Sequence, residues 1–300
     1  MQQPPRTLLV FVDGIGIGSG DPAINPVLRG SAPNLLSFLK DGAVPVDASL
    51  GVAGLPQSAT GQASLLTGCN AAELMGRHVE GLPGPRLKKL VRQQNLFSQL
   101  ATRGYSCTFA NAYFIDDVED VRTRRHQSVS TVASLAAFGG VRDSAALLRN
   151  DAVYQDLTRA SLRQRGYAGP TITPREAGEH LLAIADGHDF TMFEYFQTDL
   201  VAHKGTADDV QRILSQLDEF LGVVAGFGKK RGGLFVLTSD HGNIEDSRTR
   251  LHTNNRVPFV AIGQGAERLK ESLKSLTDFV PAMLELYPQR KPQACHAKAG

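Results

Sequence analysis

The stretch Leu234-Phe-Val-Leu-Thr-Ser-Asp-His-Gly-Asn-Ile-Glu245 constrains this chain more than any other. It opens as an apolar run of β-forming residues and ends in Thr238, Ser239, Asp240 and His241. That pattern predicts a buried parallel strand with polar groups at its carboxyl end, where open α/β sheets bind ligands. Asp240 and His241 together offer an oxygen and an imidazole, a donor pair suited to Zn²⁺ or Mn²⁺. Two other segments are built to meet it. One is the strand Thr7–Val12, ending at Asp13. The other is Phe190–Phe196, followed by Asp199-Leu-Val-Ala-His203 and, further on, His252.

Three hundred residues allow two domains, or one large α/β domain with an insertion, and a core that needs no staples. A net charge of +2, with acids and bases interspersed, argues against a nucleic-acid or membrane partner. Cys69, Cys107 and Cys295 have no CxxC spacing and read as reduced thiols. Met1–Arg6 lacks the layout of a signal peptide, and no run approaches the length of a spanning helix. A cytoplasmic location is the expectation; the oligomeric state is open.

Gly14, Gly16, Gly18 and Gly20 invite a dinucleotide-loop reading, but the G-x-G-x-x-G spacing fails. Asp21-Pro22 and Asn25-Pro26 also keep the segment irregular. Pro33–Lys40 reads as a short helix. Small residues then crowd Ala48–Gly68, and an apolar helical pattern starts near Ala63. A serine at a strand-to-helix turn leaves room for a ligand against backbone, and a helix amino terminus favours an anion. Ser58 is the candidate nucleophile; it could also be an ordinary N-cap, and Thr60 is its local rival.

The α/β rhythm continues through a helix over Asn95–Gly104 and a strand over Tyr105–Ala110. Between about Tyr113 and Pro170 it breaks into short helical patterns at Thr131–Phe138, Ser144–Arg149 and Asp156–Gly166. This implies a discontinuous core of residues 1–112 and 172–300, with 113–171 as a small inserted cap; a start as early as 81 is the alternative, and the helix–strand unit over Asn95–Ala110 favours the later one. Asn111, Arg122, Arg124 and Arg125 are the substrate-side candidates: arginines can clamp a phosphate or carboxylate bidentately. The plainer reading of the arginine run is a solvated surface. Regular elements resume at the helix Thr173–Ala185, with Thr173, Pro174 and Glu176 placed for a capping box. A strand at Asp189–Phe196, a helix at Asp208–Ala225, strands at Leu234–Thr238 and Val257–Ile262, and a last helix at Thr277–Leu286 follow.

Asp199 and His203 are four residues apart, hence on one face if helical, and His252 can join them around one ion. Asp13, Asp240, His241 and the Ser58 oxygen make a second set. Two metals a few ångströms apart suit phosphoryl transfer: one activates a hydroxyl that is a weak nucleophile on its own, the other offsets charge on the leaving group.

Five motifs carry a family resemblance. They are Val12-Asp-Gly-Ile-Gly16, Gly54-Leu-Pro-Gln-Ser-Ala-Thr-Gly61, Asp199-Leu-Val-Ala-His203, Thr238-Ser-Asp-His-Gly-Asn243 and His252-Thr-Asn-Asn-Arg-Val-Pro258. In this order they resemble the metalloenzyme branch of the alkaline phosphatase superfamily, which holds cofactor-independent phosphoglycerate mutase and phosphopentomutase. The resemblance implies an alkaline-phosphatase-like three-layer α/β core with an open, mostly parallel sheet. It implies one divalent ion, Mn²⁺ or Zn²⁺, on Asp199, His203 and His252. A second falls on Asp13, Asp240, His241 and Ser58, with Ser58 phosphorylated in turnover. The expected activity is that of a phosphomonoesterase or phosphomutase acting on a small phosphorylated substrate. Alternatives are a phosphodiesterase or other ester hydrolase of the superfamily, or a non-catalytic metal-binding protein. In the mutases a histidine follows the serine by four residues; here Gln62 stands there. Their insertion is also much longer, and the stretch from His78 looks more like phosphopentomutase. The Cys/Ser-x-Pro-x-Arg setting of sulfatases is missing after Ser58.

Overall fold

A computed structural model describes residues 3–290. Six strands form one sheet: β1 (Thr7–Val12), β2 (Ala43–Val46), β3 (Cys107–Phe109), β4 (Phe190–Tyr195), β5 (Leu234–Thr238) and β6 (Val257–Gly263). Their order across the sheet is β2-β6-β5-β1-β4-β3. β1 pairs in parallel with β4 and β5, and β3 with β4, whereas β6 runs antiparallel to both β5 and β2.

Every residue of β1, β4 and β5 is buried, as expected for parallel strands covered on both faces. Alternation along the strands divides the core in two. Leu9, Phe11, Met192 and Val236 face one cluster, built with the helices Ser58–Thr67, Pro85–Gln94, Leu96–Thr102, Val129–Phe138 and Phe279–Leu286. Leu8, Val10, Phe193 and Leu237 face the other, built with Pro33–Asp41, Pro174–Asp186 and Ala207–Val224. The result is a three-layer α/β core. The Thr173–Glu176 capping box forms, and Thr206 and Asp209 form another at the start of Ala207–Val224.

Several boundaries differ from the sequence reading. The strand expected over Tyr105–Ala110 is only Cys107–Phe109. The pattern at Asp156–Gly166 becomes a 3₁₀ turn over Ala160–Arg165. β2 went unread because Pro45 masks it; that proline sits opposite Pro258 on an edge strand, where proline is tolerated. The helix containing Ser58 starts at Ser58 itself rather than near Ala63, its first turns made of small residues without apolar periodicity. The interval 113–171 divides in two. Val129, Val132 and Ala133 join the main core, whereas Tyr154, Leu162 and Tyr167 form a small cluster with Ala112, Ala146, Leu147 and Ala152. Among the described residues, no helix is long and apolar enough to cross a membrane. Cys69 and Cys107 are free thiols, and Cys295 lies outside the described residues.

Candidate metal centre

The three central strands end side by side, and each delivers acids or imidazoles. Asp13 follows β1 directly. Ser239, Asp240 and His241 follow β5, and the helix Gln197–Lys204 after β4 carries Asp199 and His203 on one face. Ser58 enters from the side as the first residue of its helix. Its Oγ lies 3.0 Å from His241 Nε2, and the same nitrogen is 3.1 Å from Asp13 Oδ1 and 3.7 Å from Asp240 Oδ2. On the other side, His203 Nε2 and His252 Nε2 lie 3.2 and 3.4 Å from Asp199 Oδ1. The His241 and His252 rings stack with centroids 3.7 Å apart, so the two halves abut. All seven residues singled out as ligands therefore come together.

The donor chemistry fits cations. Both carboxylate oxygens of Asp240 are buried without a hydrogen-bond partner, a cost a protein rarely bears unless something positive compensates. His203 Nδ1 lies 2.6 Å from the Arg250 carbonyl oxygen, and His252 Nδ1 2.8 Å from that of Pro56. A carbonyl only accepts, so both Nδ1 atoms carry the proton in the neutral rings and both Nε2 atoms are acceptors. Those two Nε2 atoms face each other at 3.0 Å. Two lone pairs in that position ask for an electrophile between or beside them, and a backbone carbonyl on the far nitrogen is the usual support of a metal-bound imidazole. The groups Asp13, Asp240, His241 and Asp199, His241, His252 each bring their donor atoms within 4.8 Å of one another.

Electrostatics point the same way. Burial, reinforced by Asp13, holds the Asp240 carboxyl well above its ordinary range. Burial works to lower the His241 imidazole, but Asp240, Asp13 and Asp199 outweigh it and carry it up to about 10. Burial likewise opposes ionisation of Asp199, yet the neighbouring His252, His241, Asn243 and His203 bring it down to about 2. The metal-free site is a cluster of negative charge holding protons where cations could sit.

Three residues given no role in the site from sequence organise it. Glu245 is fully buried; it accepts the N–H groups of Gly16 at 2.9 Å and Asn243 at 2.7 Å, the Asn255 amide at 3.0 Å and the Thr253 hydroxyl. It thus ties the loops after Asp13, His241 and His252 together. The glycine run is explained here: a Cβ on Gly16 or Gly242 would come within 2.3 or 2.2 Å of Glu245 Oε1. Asn243 donates to Asp199 Oδ1 at 2.8 Å. Gln62 donates to Asp13 Oδ2 at 3.2 Å. The run Asp240-His-Gly-Asn-Ile-Glu245 held the signal for two of these, since a charged residue close behind two ligand candidates must go somewhere.

A family model described as the Metalloenzyme superfamily matches residues 5–287. The chain belongs to that superfamily. Curated relatives are 2,3-bisphosphoglycerate-independent phosphoglycerate mutases. The one from Vibrio parahaemolyticus is 36% identical over 126 residues, 39% of this chain and 24% of that enzyme. The one from Acetivibrio thermocellus is 33% identical over 113 residues, 35% of this chain and 22% of that enzyme. The matches thus span about a quarter of these mutases. Solved structures share the fold at low identity. The PH0037 protein of Pyrococcus horikoshii superposes with a TM-score of 0.57 at 12% identity, covering 98% of this chain and 99% of that one. Alkaline phosphatase from the Antarctic bacterium TAB5 gives 0.52 at 12%, covering 97% and 100%. Phosphoglycerate mutase from Leishmania mexicana gives 0.54 at 11%, covering 98% and 97%. The core is therefore alkaline-phosphatase-like in fold.

Asp13, Ser58 and Asp199 form the floor of a cavity of about 440 Å³. In this superfamily member the cavity walls come from β3, β4 and the residues after them, the interval 113–171 and the loop at Gly81 and Leu82. Of the substrate-side candidates, Arg124 and Asn111 line it. Asn111, however, spends both amide atoms on the Glu194 main chain, at 2.7 and 2.8 Å. Arg122 pairs instead with Glu119 and the Gly139 carbonyl, away from the lining, and Arg125 is exposed outside it. Arg165, unread in the sequence, lines the cavity together with Glu194.

Proposed function

We propose that this chain transfers phosphoryl groups from small phosphomonoesters by way of a phosphorylated Ser58. The observation that carries the reading is the position of Ser58 Oγ, at a helix amino terminus and 3.0 Å from His241 Nε2, between two groups of metal-ligand type. Asp199, His203 and His252 would hold one divalent cation, Mn²⁺ or Zn²⁺; Asp13, Asp240, His241 and Ser58 would hold a second. When bound, the cations supply positive charge that favours the ionised serine oxygen and offsets charge on the phosphoryl group.

The chain's own groups do the rest. Ser58 Oγ forms a bond to phosphorus as the bond from phosphorus to the substrate alcohol breaks. The helix start behind Ser58 favours the doubly charged phosphoserine. Gln62 steadies Asp13, and Asn243 steadies Asp199. The interval 113–171 acts as a cap that limits water at the cavity. A mutase must keep the freed alcohol until it takes the phosphoryl group back; a phosphatase gives the phosphoryl group to water.

Turnover in ¹⁸O-labelled water separates the two. Label in released phosphate marks hydrolysis, and isomerised phosphoester without label marks a mutase. Ser58→Ala should lose turnover by about a thousandfold or more while metal content stays at two ions. Turnover that survives the substitution contradicts the reading.

A further inference from the structure

The cavity above Ser58 has a character that phosphoryl transfer alone does not require. Away from the floor its walls carry Phe109, Tyr113, Phe114, Tyr154 and Phe196. Leu82 and Leu200 also line it, 46% and 43% exposed, large apolar side chains left facing solvent. Some of the polar atoms on these walls are already engaged, while Arg124 and Glu194 Oε1 have no partner among the described residues. The Tyr113 hydroxyl bonds Thr131 at 2.6 Å, the Tyr154 hydroxyl takes Arg165 Nη1 at 3.3 Å, and Asn111 is consumed by the Glu194 main chain. Arg165 Cζ lies 5.4 Å from the centroid of the Phe114 ring, a cation–π contact at the cavity wall.

A glycerate or bare sugar presents hydroxyls and carboxylates in every direction, and burying those that meet the aromatic faces, which offer them no partner, is costly. About 440 Å³ also lies in the range of pockets that enclose ring-bearing ligands. Resting on the Ser58 reading, we propose that the alcohol side of the phosphoester carries a planar, apolar-faced ring, aryl or nucleobase-like, received among these aromatic side chains. Glu194 stands at the same wall: its Oε2 accepts from Ser130, and none of the described groups donates to its Oε1. It can take a hydroxyl or amino proton of the occupant.

Matched substrate pairs test this without confusing binding with leaving-group reactivity. Adenosine 5′-monophosphate against ribose 5-phosphate, and 2-phenylethyl phosphate against ethyl phosphate, differ by a ring while keeping alcohols of comparable acidity. The ring-bearing member of at least one pair should show kcat/KM about tenfold higher or more, the scale of one aromatic contact. If only the first pair discriminates the ring is nucleobase-like; if both do, any aryl group serves. Phe114→Ala should pull that ratio toward one, and Phe114→Leu, which keeps the apolar volume but not the flat face, should give an intermediate ratio. Ratios near one in both pairs, or ratios that neither variant moves, overturn the inference while leaving Ser58 chemistry intact. Should no phosphoester turn over, the Ser58 reading fails instead. Equilibrium binding of adenosine against ribose then decides: adenosine binding weakened by Phe114→Ala supports the ring site, and equal or no binding overturns it.

Discussion

Glu245 Oε2 accepts the main-chain N–H of Gly16 at 2.9 Å, across more than two hundred residues of chain. That bond joins the loop after Asp13 to the loop after His241, and the same carboxylate also holds Thr253 and Asn255. Glu245→Ala leaves four donors, three of them buried, without an acceptor and should cost about 3–5 kcal/mol of stability. Glu245→Gln keeps the volume and should cost less, about 1–3 kcal/mol. Denaturant unfolding of chelated protein measures both; an Ala variant as stable as the parent would show that the carboxylate is not what binds these loops.

Gly61 sits in the Ser58 helix where a Cβ would come within 2.9 Å of Asp240 Cβ and the Asp240 carbonyl oxygen. On helix propensity alone Gly→Ala stabilises by about 1 kcal/mol. The contact here is with backbone that cannot swing away, and overpacking of this kind costs about 1–3 kcal/mol. Gly61→Ala should therefore lower the melting temperature and weaken metal binding through Asp240. A variant that melts higher would show that the helix can shift without disturbing Asp240.

His203 shares its cation with Asp199 and His252 in the proposed assignment. His203→Ala should retain one tightly bound ion and lose most of the second, read by metal analysis after dialysis. Binding of the ion assigned to Asp13, Asp240, His241 and Ser58 should release protons, because the metal-free site stores them on His241 and Asp240. Calorimetry in buffers of different ionisation enthalpy checks this; heats independent of buffer would contradict it.

Glu194 gives a pH signature. Burial, with Asp13 adding to it against the Ser130 hydrogen bond, pushes its carboxyl from 4.5 up to about 7. Below pH 4.5 both folded and unfolded chains hold the proton. Between 4.5 and 7 only the folded chain does, so unfolding releases a proton and stability falls as pH rises through that window. The loss is on the order of 3 kcal/mol. Glu194→Gln escapes it. In chelated protein the variant should gain on the parent between pH 5 and pH 8; a constant difference would place the ionisation elsewhere.

The polar ends of the three central strands were legible because buried parallel strands leave an unmistakable apolar run, and Asp13, Asp240 and His241 break it abruptly. The Asp199–His203 spacing was legible because helical period fixes the face. Gln62 was not, and Glu245 showed only as a charge close behind two ligand candidates, since which loops these side chains join is encoded in no local pattern. The glycines at 14, 16 and 18 looked like a phosphate loop that fails; they are instead the space Glu245 and Asp199 occupy. Arginine orientation was equally hidden. Arg122 turns to Glu119, whereas Arg165, forty residues later, reaches the cavity because Phe114 and Tyr154 seat it. The helix Val129–Phe138 is apolar on nearly every side, so its sequence could not say whether it belonged to the insertion or to the core it joins.

The central claim is that Ser58 takes the phosphoryl group. The most direct measurement is acid-quenched turnover with a ring-bearing and a ringless phosphoester, followed by peptide mass spectrometry. The account predicts a phosphoryl adduct on the peptide carrying Ser58, present only with divalent metal and absent from Ser58→Ala. Turnover that proceeds with no adduct at any quench time, or an adduct that maps to Thr60, would contradict it.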